Sequence, residues 1–495
     1  MKAGLLRSNK PIKGQYIVVL KPSDGANIRA IANTLAAEHG GAVNATFEHA
    51  MQGFSIGMTE DAAQRMSRLP SVAVVEEVGY VDLASPGHDS GAPVRAEAAP
   101  PLTSGAATAN PFMRRLTTLA NNCPFFGPYW ACEYPDDLHW ALDRIDNAYL
   151  IYGYKAYGYV TTGSAVRVYV VDNGVYGSHS EFDSRVEVGA NFTINTGDPN
   201  LPPDYSYANF PCGHWLINSD GAGVHGTAVA SIAAGTTTGI AKEATIVPVK
   251  VFPCYTNPDG TTWGRATNLE LAQGLEWVVG DMSGRQGRAV VNLSLNTTVD
   301  NSMCEGTPCI PAIEYEVNSL LSHNIPVVVA AGNHDRNDCT TLSPSRMGYP
   351  SDPSLATIGS LRPITVGGTM ARAVDNYVDQ RWTCNVGGQD LCGLSYASDP
   401  GSNYGECVSV WAPGYDLQLA GGAGPNSYLA TLRHGTSFSA PIVTGIVARL
   451  LQAHPAWTPY DVWNSLATSA ATHSYVQNLD PSGYNNKLVY LPATQ

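Results

Sequence analysis

Along residues 15–83 the spacing of apolar positions switches repeatedly between two periods. "QYIVVLK" reads as a strand. Ala26–His39 places Ile28, Ile31, Leu35 and Ala36 at helical spacing, "GFSIGM" alternates like a strand, and Thr59 caps a second helix running to Leu69. "SVAVVEEVGYVDL" is a further strand. The order β-α-β-α-β predicts a small α+β domain, bounded at residues 11–84. From Ser85 the pattern is lost in Ala, Pro, Gly and Ser, which cannot bury a core, and 85–135 is read as a linker and extension. From residue 136 to 495 the pattern is α/β. Continuous apolar runs occur at Val166–Val171, Ala244–Phe252, Ala289–Leu295, Pro326–Ala331 and Ile364–Gly367. Helical segments alternate with them at His225–Ala234, Asn268–Val279, Ala312–Ser322, Ser437–Leu451 and Pro459–Ala467. This alternation predicts a mostly parallel sheet flanked by helices, with function gathered at the carboxyl ends of the strands.

Composition narrows the function classes. The net charge of −14 argues against a nucleic-acid partner, which favours a basic face. No run approaches the ~18 apolar residues of a membrane helix. Ten cysteines without a C-x-x-C pair fit disulfides, not zinc, and close pairs such as Cys123/Cys132, Cys304/Cys309 and Cys384/Cys392 suit local bridges. Disulfides point to an oxidising compartment, so a secreted protein is expected, although "MKAGLLRSNKPIKGQ" contains no secretory apolar core.

Chemistry enters at "RHGTSFSAPIVTG". Ser437 stands at the mouth of a buried helix, either as its N-cap or as a nucleophile served by the helix N-terminus. A nucleophile requires a base, and the base requires a carboxylate. "VRVYVVDNGV" ends a strand in Asp172, where a turn-forming aspartate is the bland alternative. "GVHGTAVASIAAG" opens a small-residue helix on His225, where the alternative is a cap or a core histidine. "VVVAAGNHD" ends a strand in Asn333, whose amide can donate to an oxyanion or merely make a turn. The order Asp172, His225, Ser437 is that of subtilisin, not of chymotrypsin or the α/β-hydrolases, and no G-x-S-x-G elbow surrounds Ser437.

With these motifs in that order, residues 136–495 resemble the subtilisin-like serine proteases, in texture their proteinase K-like branch, and residues 11–84 resemble the family's inhibitory propeptide. The resemblance implies a secreted, monomeric endopeptidase made as a zymogen. Ser437 would be nucleophile, His225 general base, Asp172 its orienting partner, and Asn333 the oxyanion donor. It implies extended protein or peptide substrates held between Ser294-Leu295-Asn296 and the stretch Gly260–Gly264, which includes Trp263. Ala330, Ala331 and Gly332 would line the site. No cofactor is required for catalysis. The aspartate of a structural calcium site is replaced by Ser409, so the motif does not support that calcium and the site is expected to be lost or rebuilt. Other departures are Ala228 for a histidine, Asn173 for Thr or Ser with its amide free to support the aspartate, and Asn296 for a glycine of the first specificity pocket. A side chain at 296 predicts preference for small or medium residues before the scissile bond. A first self-cleavage is expected after Ala84, and any second cut near Arg114-Arg115. Asn191 and Asn296 match glycosylation acceptors. His214, His334 and Asp335 read as surface loop residues. Catalytically silent binding modules and acyl transferases on the same fold are the rival readings.

Overall fold

The run Pro11–Leu20 is polar at its start and wholly apolar at its end, and it forms a long central strand in the computed structural model of the chain. The structure describes residues 4–83, 131–133, 140–146, 157–193, 225–252, 255–256, 262–263, 266–299, 310–348, 361–372, 378–383, 385–386, 389–390, 401–415, 417–421, 424–429, 434–471 and 487–491. The N-terminal unit contains β1 (Gly4–Leu6), β2 (Pro11–Leu20), α1 (Ile28–His39), β3 (Ala42–Phe47), β4 (Gly53–Gly57), α2 (Glu60–Met66) and β5 (Val72–Leu83). Asn27 caps α1 by accepting the Ala30 N–H at 3.0 Å, and Thr59 caps α2 through Ala62 at 3.3 Å. The two helices pack on an antiparallel sheet ordered β3-β4-β2-β5, with β1 added in parallel to β5. β1 and β3 are additions to the expected β-α-β-α-β order. β3 lies at the sheet edge with Phe47 as its one fully buried side chain, so its apolar pattern was too thin to register.

The larger unit begins with β6 (Ala131–Glu133), α3 (Trp140–Asp146), β7 (Tyr157–Tyr159), β8 (Val166–Asp172), β9 (Ala190–Asn191), α4 (His225–Ala234) and β10 (Thr245–Lys250). It continues through β11 (Tyr255–Thr256), β12 (Thr262–Trp263), β13 (Ala266–Thr267), α5 (Asn268–Ser283), β14 (Arg288–Leu293), β15 (Leu295–Thr298), α6 (Ala312–Ser322), β16 (Val327–Ala330) and β17 (Leu342–Ser343). It ends with β18 (Ile364–Arg372), β19 (Val378–Arg381), β20 (Asn385–Val386), β21 (Gln389–Asp390), β22 (Val410–Pro413), α7 (Thr436–Ala453) and α8 (Pro459–Ala471). Strands β9-β10-β8-β14-β16-β18 form a parallel sheet, and β18 also pairs with parallel β22 and antiparallel β19.

The continuous apolar strands follow from burial on both faces. Val166, Val168 and Val170 of β8 join the core under α4 and α7, while Tyr169 and Val171 join the core under α5 and α6. Each such side chain contributes about 1.5–3 kcal/mol by leaving water. The whole of α7 from Thr436 to Leu451 is buried, which is why apolar residues occur on every side of it. Among the described residues no helix is long and apolar enough to cross a membrane.

The two units meet along one strand. The upstream part of β5 belongs to the N-terminal sheet, where Val75 pairs with Val18. Downstream, Tyr80 and Val81 pair antiparallel with Thr267 and Ala266 of β13, and Asp82 and Leu83 pair with Asn296 and Leu295 of β15. The end of the N-terminal unit is thereby inserted as a middle strand between two edges of the larger unit.

Candidate active site

Asp172 ends β8, Ser294 follows β14 and Ala330 ends β16, so the carboxyl ends of three adjacent parallel strands converge here. Asp172 is fully buried and its two oxygens lie 3.0 and 2.8 Å from Nδ1 of His225, the first residue of α4. One of those oxygens also accepts the Asn173 N–H at 2.7 Å. A carboxylate so placed fixes the imidazole with Nδ1 protonated and leaves Nε2 as the basic nitrogen. Asn173 contributes through its backbone N–H to Asp172, and its side-chain oxygen accepts the Gly226 N–H at 2.9 Å and anchors the start of α4. Ala228 is buried in the core, so its small side chain serves packing.

Ser437 is not the cap of its helix. The N-cap is Gly435, and Ser437 is the second residue of α7, fully buried at the helix N-terminus. Gly435 has φ +137°, and a Cβ there would lie 3.4 Å from Nδ2 of Asn333, so the turn needs glycine. Phe438 lays its ring 5.6 Å, centroid to centroid, from the His225 imidazole, which brings the α7 terminus against the α4 terminus. In this state Ser437 Oγ donates to the Ser294 carbonyl at 3.3 Å, and His225 Nε2 is buried without a partner among the described residues.

Asn333 is fastened from α7. Its Oδ1 accepts the Thr436 N–H at 3.0 Å and the Thr436 hydroxyl at 2.8 Å, which turns Nδ2 toward Gly435. Thr436 Oγ1 in turn accepts the Gly332 N–H at 3.0 Å. Ser294 Oγ donates to the Ser437 carbonyl at 2.7 Å and accepts from Asn292 Nδ2 at 2.9 Å, while Thr444 donates to Asn292 Oδ1 at 2.9 Å. Sequence reasoning missed Thr436, Asn292 and Thr444. Asn292 did carry a signal, since a lone amide in an apolar strand run must find partners.

Of the proposed substrate edges, Leu295 and Asn296 pair with β5. On its other side β5 pairs with Ala266–Thr267; of the stretch expected there, Thr262–Trp263 pairs with Tyr255–Thr256, and Gly260 and Gly264 lie outside the described residues. Sequence reasoning missed Ala266–Thr267, because two residues carry no alternation of their own and pairing alone makes them a strand. Asn296 is buried, with Nδ2 donating to the Ala330 carbonyl at 2.8 Å and Oδ1 accepting the Ser345 N–H at 3.2 Å. It thus ties the β15 edge to the 330–332 segment, and both ends of the amide expected to accept a glycan are engaged. Ala331 donates its N–H to Val366, and Gly332 has φ +100° with Asn403 close against it.

His334 and Asp335, expected as surface loop residues, lie outside the helices and strands, and both make polar contacts. His334 Nδ1 lies 3.1 Å from buried Asp338, and Asp335 pairs with Arg381 and accepts from Thr383 at 3.1 Å. The neighbouring disulfide is Cys339–Cys407. Ser409, at the calcium position, accepts from the Thr365 N–H at 3.2 Å and lies 3.4 Å from Trp463 Nε1. Among the described residues no group of three or more His, Cys, Asp or Glu is arranged to hold a metal ion. Ala84, Arg114, Arg115, His214 and the proposed close cysteine bridges lie outside the described residues or their described side chains.

Residues 163–490 match the subtilase family, and residues 15–84 match the peptidase inhibitor I9 family. The chain belongs to the subtilase family. This subtilase is 31% identical over 354 residues to an extracellular serine proteinase of Thermus sp. (strain Rt41A), covering 71% of this chain and 66% of that protein. It is 29% identical over 357 residues to subtilisin-like protease 1 of Pseudogymnoascus destructans, covering 71% and 67%. The chain therefore spans about two thirds of the length of these relatives. Its fold is similar to that of fervidolysin from Fervidobacterium pennivorans, a keratinolytic enzyme related to subtilisin, at TM-score 0.59 and 18% identity, covering 99% of this chain and 62% of that one. The subtilase unit and the I9 unit are the two units joined along β5.

Proposed function

We propose that the chain is a secreted, monomeric serine endopeptidase made as a zymogen, whose I9 unit occupies its own substrate cleft. The observation that carries this reading is the antiparallel insertion of Tyr80–Leu83 between β13 and β15. Strand addition of this kind supplies affinity through backbone bonds and leaves alternate side chains for selection. The pairing of Leu83 with Leu295 leaves Ser294 as the next position of the cleft edge, and Ala84 is the next residue of the chain. Ser294 is also where the Ser437 hydroxyl now donates. The first scissile bond is therefore assigned as Ala84–Ser85, between residues 11–84 and the linker.

In catalysis Ser437 Oγ turns from the Ser294 carbonyl to His225 Nε2 and gives up its proton there as it attacks the carbonyl carbon. Asp172 holds the imidazolium that forms. Asn333 Nδ2 and the Ser437 N–H, at the positive end of α7, receive the oxyanion. His225 then protonates the leaving amine, the C–N bond breaks, and water attacks the acyl-enzyme with His225 again as base. Asn296 narrows the first pocket, so a small or medium residue is preferred before the bond cut. Extracellular relatives and a disulfide support export. Mass spectrometry of wild-type and Ser437→Ala chains, with a serine-reactive phosphonate, tests the proposal. The expected result is phosphonate on Ser437 and a cut after Ala84 in the wild type alone; equal processing of both chains would refute it.

A further inference from the structure

The N-terminal unit rests on α5 and α6, and that contact contains two carboxylates of the larger unit. Glu276 of α5 accepts three successive backbone N–H groups of the loop after β3: Glu48 at 2.5 Å, His49 at 2.6 Å and Ala50 at 2.7 Å. Glu316 of α6 is completely buried, and neither of its carboxyl oxygens has a hydrogen-bond partner among the described residues. Its face of the helix is defined by its neighbours. Ala312 and Tyr315 pack against Leu6, Phe47 and Met51 of the N-terminal unit, while Ile313, Val317 and Leu320 point into the sheet core. Glu316, one turn beyond Ala312, lies on the side that the N-terminal unit covers.

We propose that Glu276 and Glu316 form a proton-linked latch, in which Glu316 carries a proton while the I9 unit is docked and loses it on release, so that the unit is held more loosely as pH rises. An ionised carboxylate without a donor is costly in an apolar contact. Burial, and then the charge of Glu276 beside it, pushes the Glu316 carboxyl well above the usual carboxylate range. Undocking admits water and returns Glu316 toward its ordinary value. A carboxyl whose docked value is raised contributes hold that is complete below the free value. That contribution declines as pH climbs toward the docked value, by up to about tenfold per pH unit for one proton.

The other titratable groups around the pair can be separated from it. Glu48 and His49 are exposed on the loop, with the His49 ring over Gly280. Glu314 is ion-paired with Arg346 at 2.6 Å. Tyr315 is pushed up to about 12 by burial and then by Glu314. Glu76 of β5 accepts the Ala312 N–H at 2.6 Å at the start of α6, and burial pushes it up to about 7, so it acts in the same sense as Glu316 from another point of the contact.

The latch draws its use from the zymogen reading, but its test does not depend on cleavage. In the full-length Ser437→Ala chain, hydrogen exchange of the Glu48, His49 and Ala50 amides is followed from pH 5 to 8 as protection relative to the intrinsic rate. Protection is expected to fall with pH, and Glu316→Gln or Glu316→Leu is expected to remove up to about one proton's worth of that slope. His49→Asn and Glu76→Gln should leave the Glu316 contribution in place. Flat protection in the parent overturns the proposal, as does an unchanged slope in whichever Glu316 variant folds, or a slope that vanishes with His49→Asn.

Discussion

Asp172 and His225 were legible as residues because the first ends an apolar strand run and the second opens a small-residue helix. What could not be read was the direction of each side chain. Asn173 was expected to support Asp172 through its amide; its backbone N–H does so, and its amide oxygen holds Gly226. Asn296 was read only as a side chain that narrows a pocket, and its amide also ties Ala330 to Ser345. Two predictions belong at this scale. Asp172→Asn should fold normally and lose on the order of 10⁴ in kcat, measured on a chromogenic peptide, because the neutral amide no longer enforces the tautomer that leaves Nε2 basic. Asn296→Gly should raise cleavage after Phe or Tyr relative to Ala in a peptide library. It should also lose about 1–3 kcal/mol in denaturant unfolding through two vacated buried hydrogen bonds.

Elements with strong periodicity or a cap fell close to expectation. α4 and α6 match their expected bounds, α5 begins where its capping box places it, and α8 begins at the proline after Thr458. The elements that escaped are short. β1, β3 and β13 are two to six residues long and bury few side chains, so pairing partners, not their own pattern, make them strands. The capping box of α5 has a consequence beyond the helix. Thr267 accepts the Glu270 N–H at 3.2 Å and belongs to β13, while Asn268 bonds Glu76 at 2.7 Å and Glu276 grips the loop at 48–50. Thr267→Ala is expected to cost about 1 kcal/mol by thermal unfolding of the full chain. It should also loosen the docked unit, visible as faster exchange of the β5 amides.

For the whole molecule, one strand shared by two units makes inhibition a matter of topology: the chain cannot vacate its cleft without unpairing β5 from β13 and β15. Stability is reinforced beside the site. The Cys339–Cys407 bridge closes a separation of 68 residues around the segment that follows Asn333. Loop-closure entropy gives such a bridge about 4 kcal/mol. A Cys339→Ser, Cys407→Ser double variant should unfold at correspondingly lower denaturant concentration, with kcat falling before global unfolding as the segment that follows Asn333 loosens.

The order of residues alone determined the helices, the buried strands and which side chains are candidates for the chemistry, since period, caps and chemical type are local properties of a chain. Tertiary structure alone decided which edge receives β5, which way each amide turns, and that Glu316 lies shut away beside Glu276. These depend on contacts between residues far apart in sequence, where packing and desolvation act on groups that local patterns treat as independent.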